Sequence, residues 1–187
     1  MCALDVRPAI GTERLILRAP TLDDAAVIAE LANDSAVAGM LTHWPYPFTD
    51  AHAEAWLMTV TGAKPERRAD FIIEHRQFGV IGVIGVGEVE PDGAPTGLRG
   101  ARPQLGYWLG RPFWNRGYAT EAVAGVLRWA AGDGRRNVVW AGHFADNRAS
   151  GQVLVKAGFL YTGDVEMTPS LGRDGQAVPN RMMVWLA

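Results

Sequence analysis

The stretch Trp114-Asn115-Arg116-Gly117-Tyr118-Ala119-Thr120-Glu121-Ala122 has the residue types and spacing of an anion-binding turn. It follows a strand-like run, Gln104-Leu105-Gly106-Tyr107-Trp108-Leu109, and opens a helix. From Ala119 the apolar positions are Ala122, Val123, Val126, Leu127 and Ala130, one continuous helical face. The first turn of such a helix has backbone N–H groups without intrahelical partners, and its dipole favours negative charge. Gly117 lets that backbone face outward. Strand, glycine turn and helix N-terminus together suit a phosphate-bearing ligand, and the plain alternative is a tight turn with no ligand. A P-loop is excluded, because Gly-x-x-x-x-Gly-Lys-Ser/Thr is nowhere in the chain. The glycines at 82, 85 and 87 do not make a dinucleotide fingerprint either, since Glu90 stands where its last glycine belongs.

Further residues that can do chemistry lie downstream. Ser150 precedes Val153, Leu154 and Ala157 by three, four and seven positions, so it shares their inward helix face. It serves either as a hydroxyl donor in a site or as a small residue bonding its own backbone. Asn147 is a helix cap, a ligand contact, or both. Arg111, Arg116 and Arg148 can meet phosphates, and Arg116 has the best case because it lies inside the turn. Glu88 and His143, each near a strand end, are the candidate bases, with His143 more at home as a structural residue. The aromatic loop His43-Trp44-Pro45-Tyr46-Pro47-Phe48 reads as core edge or as an acceptor pocket, whereas Trp56, Trp129 and Trp185 read as packing. Nothing in the chain suggests a metal site, and Cys2 alone can form no intrachain disulfide.

The elements that must position these groups alternate between strand and helix. Arg14-Leu15-Ile16-Leu17-Arg18 is a strand, and Thr21 with Asp24 forms a capping box for a helix with an apolar face of Leu22, Ala25, Ala26 and Ala29. Thr49 or Asp50 caps a second helix whose stripe is Ala53, Trp56, Leu57 and Val60. Residues 71–74 and 80–89 read as strands of a hairpin around Gln77-Phe78-Gly79, and residues 91–103 read as a loop, mobile by its glycines and prolines. The Gln104 strand and the glycine-led helix follow, the latter ending at Gly132-Asp133-Gly134. Residues 137–142 form a strand, and Asp146-Asn147 caps a helix. Strands over 159–165 and 181–186 close the chain around a turn-rich 169–179. This order predicts one α/β (mixed α+β) domain over residues 1–187, built around a single sheet.

Composition narrows the partners. With 18 basic and 20 acidic residues the net charge is −2, which disfavours tight nonspecific nucleic-acid binding. No run reaches transmembrane length, and Asp5, Arg7 and Pro8 interrupt any signal-type apolar core. The expectation is a cytoplasmic protein with no nucleic-acid or membrane partner. Exposed strands at the sheet edge would be compatible with a homodimer.

Taken in order, Leu105-Gly106-Tyr107-Trp108-Leu109, Trp114-x-x-Gly117-Tyr118-Ala119-Thr120-Glu121-Ala122, Asn147-x-x-Ser150 and Lys156-Ala157-Gly158-Phe159 resemble the GNAT superfamily of acetyl-CoA-dependent N-acetyltransferases. The branch they look most like acetylates the N-terminal amines of ribosomal proteins. The resemblance extends to Thr12-Glu13-Arg14-Leu15-Ile16-Leu17-Arg18 and Pro45-Tyr46-Pro47, so it spans nearly the whole chain. It implies a central mixed sheet splayed in its middle, flanked by helices, with acetyl-CoA as co-substrate in the cleft. The pyrophosphate would lie on the backbone of Trp114, Asn115, Arg116, Gly117, Tyr118, Ala119 and Thr120, and the pantetheine along Trp108 and Leu109, near Asn147. It implies acetyl transfer to a primary amine, of a protein N-terminus or a small molecule, by direct attack through a tetrahedral intermediate.

Three positions depart from the superfamily's pattern. Trp114 stands where Gln or Arg often begins the pyrophosphate loop, a change this branch commonly tolerates. Gln104 replaces a glutamate that serves many relatives as a base. Leu154 occupies the place of the usual tyrosine acid, which leaves Ser150 as its substitute. The missing carboxylate keeps open a second reading, a noncatalytic acyl-CoA-binding or sensor domain. A Rossmann-type oxidoreductase fails for want of its fingerprint.

Overall fold

The structure is a computed structural model and describes residues 9–62, 67–89, 102–132 and 136–187. Eight strands form one sheet: β1 (Ile10–Gly11), β2 (Leu15–Arg18), β3 (Arg68–His75), β4 (Gly79–Val89), β5 (Arg102–Leu109), β6 (Val138–Phe144), β7 (Leu160–Ser170) and β8 (Gln176–Leu186). Their order across the sheet is β1-β2-β3-β4-β5-β6-β8-β7. The helices are α1 (Ala25–Ala32), α2 (Ser35–Ala38), α3 (Asp50–Thr61), α4 (Tyr118–Ala131) and α5 (Arg148–Lys156).

Strand alternation divides the apolar residues between two cores. Ala69, Phe71 and Ile73 of β3, with Ile84, Val86 and Leu105, meet Val123, Val126 and Leu127 of α4 and Leu154 of α5. On the other face Ile72, Val83 and Trp108 meet Ile28 and Ala32 of α1 and Leu57 and Val60 of α3. β3, β4 and β5 are therefore a middle layer between two helical layers, buried on both sides, whereas β7 at the edge is mostly exposed.

Every neighbouring pair of strands is antiparallel except β5 and β6, which run parallel. Their ladder holds two steps, Gln104 with Trp140 and Leu105 with Ala141, and then ends. Beyond it β5 stays paired to β4 as far as Leu109, and β6 stays paired to β8 as far as Phe144. The sheet consequently opens between Gly106 and Gly142, and this is the expected splay.

Several expectations shift at their edges. Thr21 opens a 3-10 turn, Leu22–Asp24, before α1 begins. The buried stripe there is Ile28, Ala29 and Ala32; Leu22 and Ala26 face solvent, because the turn rotates the helix phase. The stripes of α3 and α4 lie as expected. Residues 169–179 are mostly strand, not an extended turn: Pro169 pairs with Ala177 and Met167 with Pro179, and only Leu171–Arg173 forms a 3-10 turn. Pro169 is tolerated because β7 is an edge strand with no ladder on its outer side. Of the expected loop over 91–103, Arg102 and Pro103 belong to β5 and the remainder lies outside the described residues. So do Asp133 and Gly134, while Gly132 ends α4 as expected. Cys2 also lies outside them.

One polar knot anchors the first helix. Arg18 Nη1 and Nη2 bond both Asp24 oxygens, at 3.0 and 2.6 Å, and the Thr21 N–H donates to Asp24 Oδ2 at 2.8 Å. Burial alone would raise the Asp24 carboxyl, but the hydrogen bonds from Arg18 and Thr21 outweigh it and hold the group below its ordinary value. A carboxyl lowered in the folded state stabilises above its unfolded value and loses that contribution as pH falls through the folded one. Asp24→Asn is expected to cost about 2 kcal/mol at pH 7, less than the loss of a fully buried pair because the Arg18 side chain is 28% exposed and keeps Glu74 as a partner. Urea titrations at pH 7 and near pH 3 should show the penalty shrinking in acid.

Candidate active site

β5 supplies the inner wall of the opening. The Gly110 N–H bonds Ile81 O of β4, at 2.9 Å. Because N–H directions alternate along a strand, Leu109 and Tyr107 turn their backbone groups the other way, into the splay. The indole N–H of Trp114 donates to Leu109 O at 2.7 Å, folding the turn back against the strand's end.

The turn itself takes the shape an anion needs. Gly117 is the N-cap of α4 with φ +80°, and Asn115 also has positive φ, at 58°. Thr12 Oγ1 donates to Glu121 Oε1 at 2.6 Å, and Arg14 donates to Glu121 through its backbone N and its Nε, each at 2.7 Å. Arg14 Nη1 also holds Arg116 O at 3.0 Å. The segment between β1 and β2 thus pins the first turn of α4. Burial would raise the Glu121 carboxyl; the bonds from Thr12 and Arg14 prevail and lower it, so it stays ionised. A shallow cavity of about 510 Å³ runs over this turn, lined by Arg14, Gly117, Thr120, Ala124, Arg128 and Lys156 among others. Bare helix N–H groups and a left-handed glycine suit a diphosphate, with Arg14, Arg128 and Lys156 on a rim that Glu13 and Glu121 share.

α5 forms the outer wall. Asn147 is its N-cap, with Oδ1 accepting from the Ser150 N–H at 3.1 Å, so the capping role is real. Ser150 Oγ lies 2.8 Å from the Tyr107 hydroxyl, which also reaches Ser150 O at 3.2 Å. This contact spans the opening from β5 to α5. Burial pushes the Tyr107 hydroxyl up to about 12, against the pull of its bond with Ser150, so it remains protonated at all ordinary pH. Tyr107 was legible only as one letter of a strand; its spacing gives no signal that it meets a serine 43 residues away.

The structure links Ser150 to Tyr107, Asn147 to Ser150 and Trp114 to Leu109, turns the Trp108 side chain into the core on the other face of the sheet, and gives the two candidate bases partners of their own. His143 is buried under Gly151, with Nδ1 2.9 Å from Phe144 O and Nε2 2.9 Å from the Tyr161 hydroxyl. It lines a different cavity, of about 490 Å³, with Arg148, Lys156, Tyr161 and Arg181. Glu88 lies near the far end of β4, opposite Pro103, and is 3.8 Å from Arg67 Nε. Of the aromatic loop, Trp44 stacks on Phe48 at 4.5 Å and meets Trp108 edge-on at 5.0 Å, while Tyr46 is exposed. It is core edge and surface at once. Arg116 and Arg148 are exposed.

The sheet opens at a parallel pair, with a glycine turn on one wall and a hydroxyl pair across the gap. The class of protein follows from its likeness to known ones. Residues 14–160 match the family model described as an acetyltransferase (GNAT) domain, and the chain belongs to the GNAT acetyltransferase family. It is 31% identical over 119 residues to the uncharacterized N-acetyltransferase p20 of Bacillus licheniformis, covering 62% of each chain and so less than two thirds of that relative. Among solved structures it is similar to RimL, the ribosomal L7/L12 alpha-N-protein acetyltransferase, in complex with coenzyme A (TM-score 0.78, 19% identity, covering 96% of this chain and 98% of that one). It is also similar to the microcin C7 self-immunity acetyltransferase MccE in complex with acetyl-CoA and AMP (TM-score 0.76, 16% identity, covering 94% of both). At these identities the structural likeness establishes the fold. Among the described residues no helix is long and apolar enough to cross a membrane, and no group of three His, Cys, Asp or Glu could hold a metal.

Proposed function

We propose that this chain transfers the acetyl group of acetyl-CoA to a primary amine, on a protein N-terminus or a small molecule, by direct attack. The observation that carries the reading is the pairing of the opened β5–β6 ladder with the pinned glycine turn beside it. Together they give a thioester a slot to lie in and its diphosphate a place to end.

The diphosphate would rest on the N–H groups that open α4, from Gly117 to Thr120, with Arg14 and Arg128 nearby. The pantetheine arm would add to the backbone edge of β5 at Tyr107 and at the Leu109 N–H, as a strand adds to a sheet. The Leu109 N–H then faces the thioester oxygen and offers the donor that a tetrahedral oxyanion requires. On collapse, the nitrogen–carbon bond remains, the carbon–sulfur bond breaks, and CoA leaves as a thiolate. Ser150, bonded to Tyr107, donates to that sulfur. Direct transfer fits better than a covalent acetyl-enzyme, since the one cysteine, Cys2, is remote in sequence from every motif of the cleft.

Wild-type protein mixed with acetyl-CoA and a panel of amines is expected to release free thiol, with acetylated product visible by mass spectrometry. Saturable acetyl-CoA binding with no turnover of any amine would favour the noncatalytic sensor that Gln104 leaves open.

A further inference from the structure

On the sheet face opposite α4 and α5, one stretch of chain crosses the opening from lip to lip. Trp108 of β5 and Phe144 of β6 each stand three residues beyond the last paired step, Leu105–Ala141. Trp108 lies in the core under α1 and α3. Val139 and Ala141 pack with α4, so by strand alternation Phe144 points to the same side as Trp108. The ring of Trp44 meets Trp108 edge-on at 5.0 Å. The Arg173 guanidinium lies over Phe144, 5.2 Å from the ring centre. Residues 39–44 run between these two points as a strap.

The 3-10 turn between β7 and β8 holds the strap. Gly39 O accepts from Arg173 Nε at 2.5 Å, Leu41 O from the Ser170 hydroxyl at 2.7 Å, and Thr42 O from the Leu171 N–H at 3.0 Å. Arg173 Nη2 is also 3.5 Å from Met40 Sδ. Ser170 is fully buried, and a Cβ on Gly172 would stand 2.3 Å from Ala38 O, so the turn sits directly on the end of α2.

The same guanidinium reaches the far wall of the cleft. Its Nη1 and Nη2 bond Asp146 Oδ2 and Oδ1 at 2.7 and 3.2 Å. The hydrogen bonds from Arg173 hold the Asp146 carboxyl below its ordinary value, so it is ionised at neutral pH. Asp146 directly precedes Asn147, whose side chain caps α5 through the Ser150 N–H. One planar fork of donors therefore ties the strap, the β7–β8 turn and the start of α5 together. A lysine, with a single nitrogen, cannot make all of these bonds at once.

We infer that Arg173 is a positioning residue that sets acceptor specificity: it fixes the strap over the face from which the amine arrives, and so limits how wide the acceptor can be. This rests on the acetyl-transfer reading above. In that reading acetyl-CoA takes the α4–α5 face of the opening, which leaves the strapped face to the acceptor. A slim primary amine passes the strap, whereas a group branched beside the nitrogen meets residues 39–44. Arg173 touches no reacting atom and acts through Gly39 and Asp146.

Wild type, Arg173→Ala and Arg173→Lys should be compared by acetyl-CoA calorimetry, by hydrogen exchange over residues 39–44, and by thiol release. The acceptors form two pairs, slim and wide: n-butylamine with cyclohexylamine, and a glycine-initiated with a valine-initiated peptide. Arg173→Ala is expected to raise the wide-to-slim ratio of kcat/KM by about tenfold or more, with acetyl-CoA affinity held within about twofold. Exchange over residues 39–44 should quicken in the same variant. Arg173→Lys should move the ratio the same way by about threefold, and it carries the test alone if the alanine variant does not fold. An unchanged ratio, an equal loss on every acceptor, or unaltered protection of residues 39–44 would each overturn the assignment and leave Arg173 a packing residue. Wild type that binds acetyl-CoA but turns over none of the four acceptors would overturn the acetyl-transfer reading, and this assignment with it.

Discussion

Gly117→Val is expected to weaken acetyl-CoA binding by at least about tenfold while leaving the sheet intact, because it strikes the backbone shape on which the diphosphate would rest. Gly117 has φ +80°, a region where a β-branched residue is a severe outlier. The chain would relax toward negative φ and turn the first N–H groups of α4 away from their common focus. A Cβ there would also stand 3.4 Å from Arg14 Nη2, in the side chain that holds Arg116 O and Glu121. The damage is therefore to the turn and to its clamp together. Arg116→Ala should do less, since Arg116 contributes its carbonyl to the clamp and its side chain is exposed. Calorimetry on both variants, with circular dichroism to verify folding, separates the two. Equal affinity in folded Gly117→Val and wild type would place the diphosphate elsewhere.

Ser150→Ala is expected to lower kcat by about 10²–10⁴, the range for one positioned proton donor, with little change in acetyl-CoA affinity. The serine hydroxyl would be the donor to departing sulfur, and the alanine leaves an apolar methyl in its place. Tyr107→Phe should lower kcat by a smaller factor, about three- to tenfold, because it removes the 2.8 Å partner of Ser150 while sparing the donor itself. If the two act as one unit, the second change adds little to the first, which a double-mutant cycle measures. Burial keeps Tyr107 protonated up to about 12, so its effect should be constant from pH 7 to pH 9. A Ser150→Ala kcat within twofold of wild type, measured where chemistry limits the rate, would reduce Ser150 to a helix residue packed against Tyr107.

The legible parts of this protein are those written in local periodicity. The stripe of α4, the Thr21–Asp24 box, the Asn147 cap and the glycine turn all depend on residues within a few positions of each other. The β7–β8 hairpin misled because Pro169 and Pro179 are strong turn signals, and nothing local reveals that one of them sits on an edge strand. The phase of α1 slipped for a similar reason, a 3-10 turn that shifts which residues face inward. Tyr107–Ser150 and Arg173–Asp146 depend on strand order, which no short window contains. The resemblance supplied the splay; the register shows that it falls at Gly106 and Gly142, while His143 bonds Tyr161 beside Gly151 and Glu88 lies by Arg67. Gly85 and Gly87 failed as a nucleotide fingerprint, and Gly85 now has a reason of its own in the side chain of Asp70 above it.

The most direct test of the account is titration calorimetry of the folded wild-type chain with acetyl-CoA, repeated on Gly117→Val. The account predicts saturable binding of one acetyl-CoA per chain by the wild type, and binding at least about tenfold weaker by the variant. No saturable heat from a folded wild-type sample would contradict it.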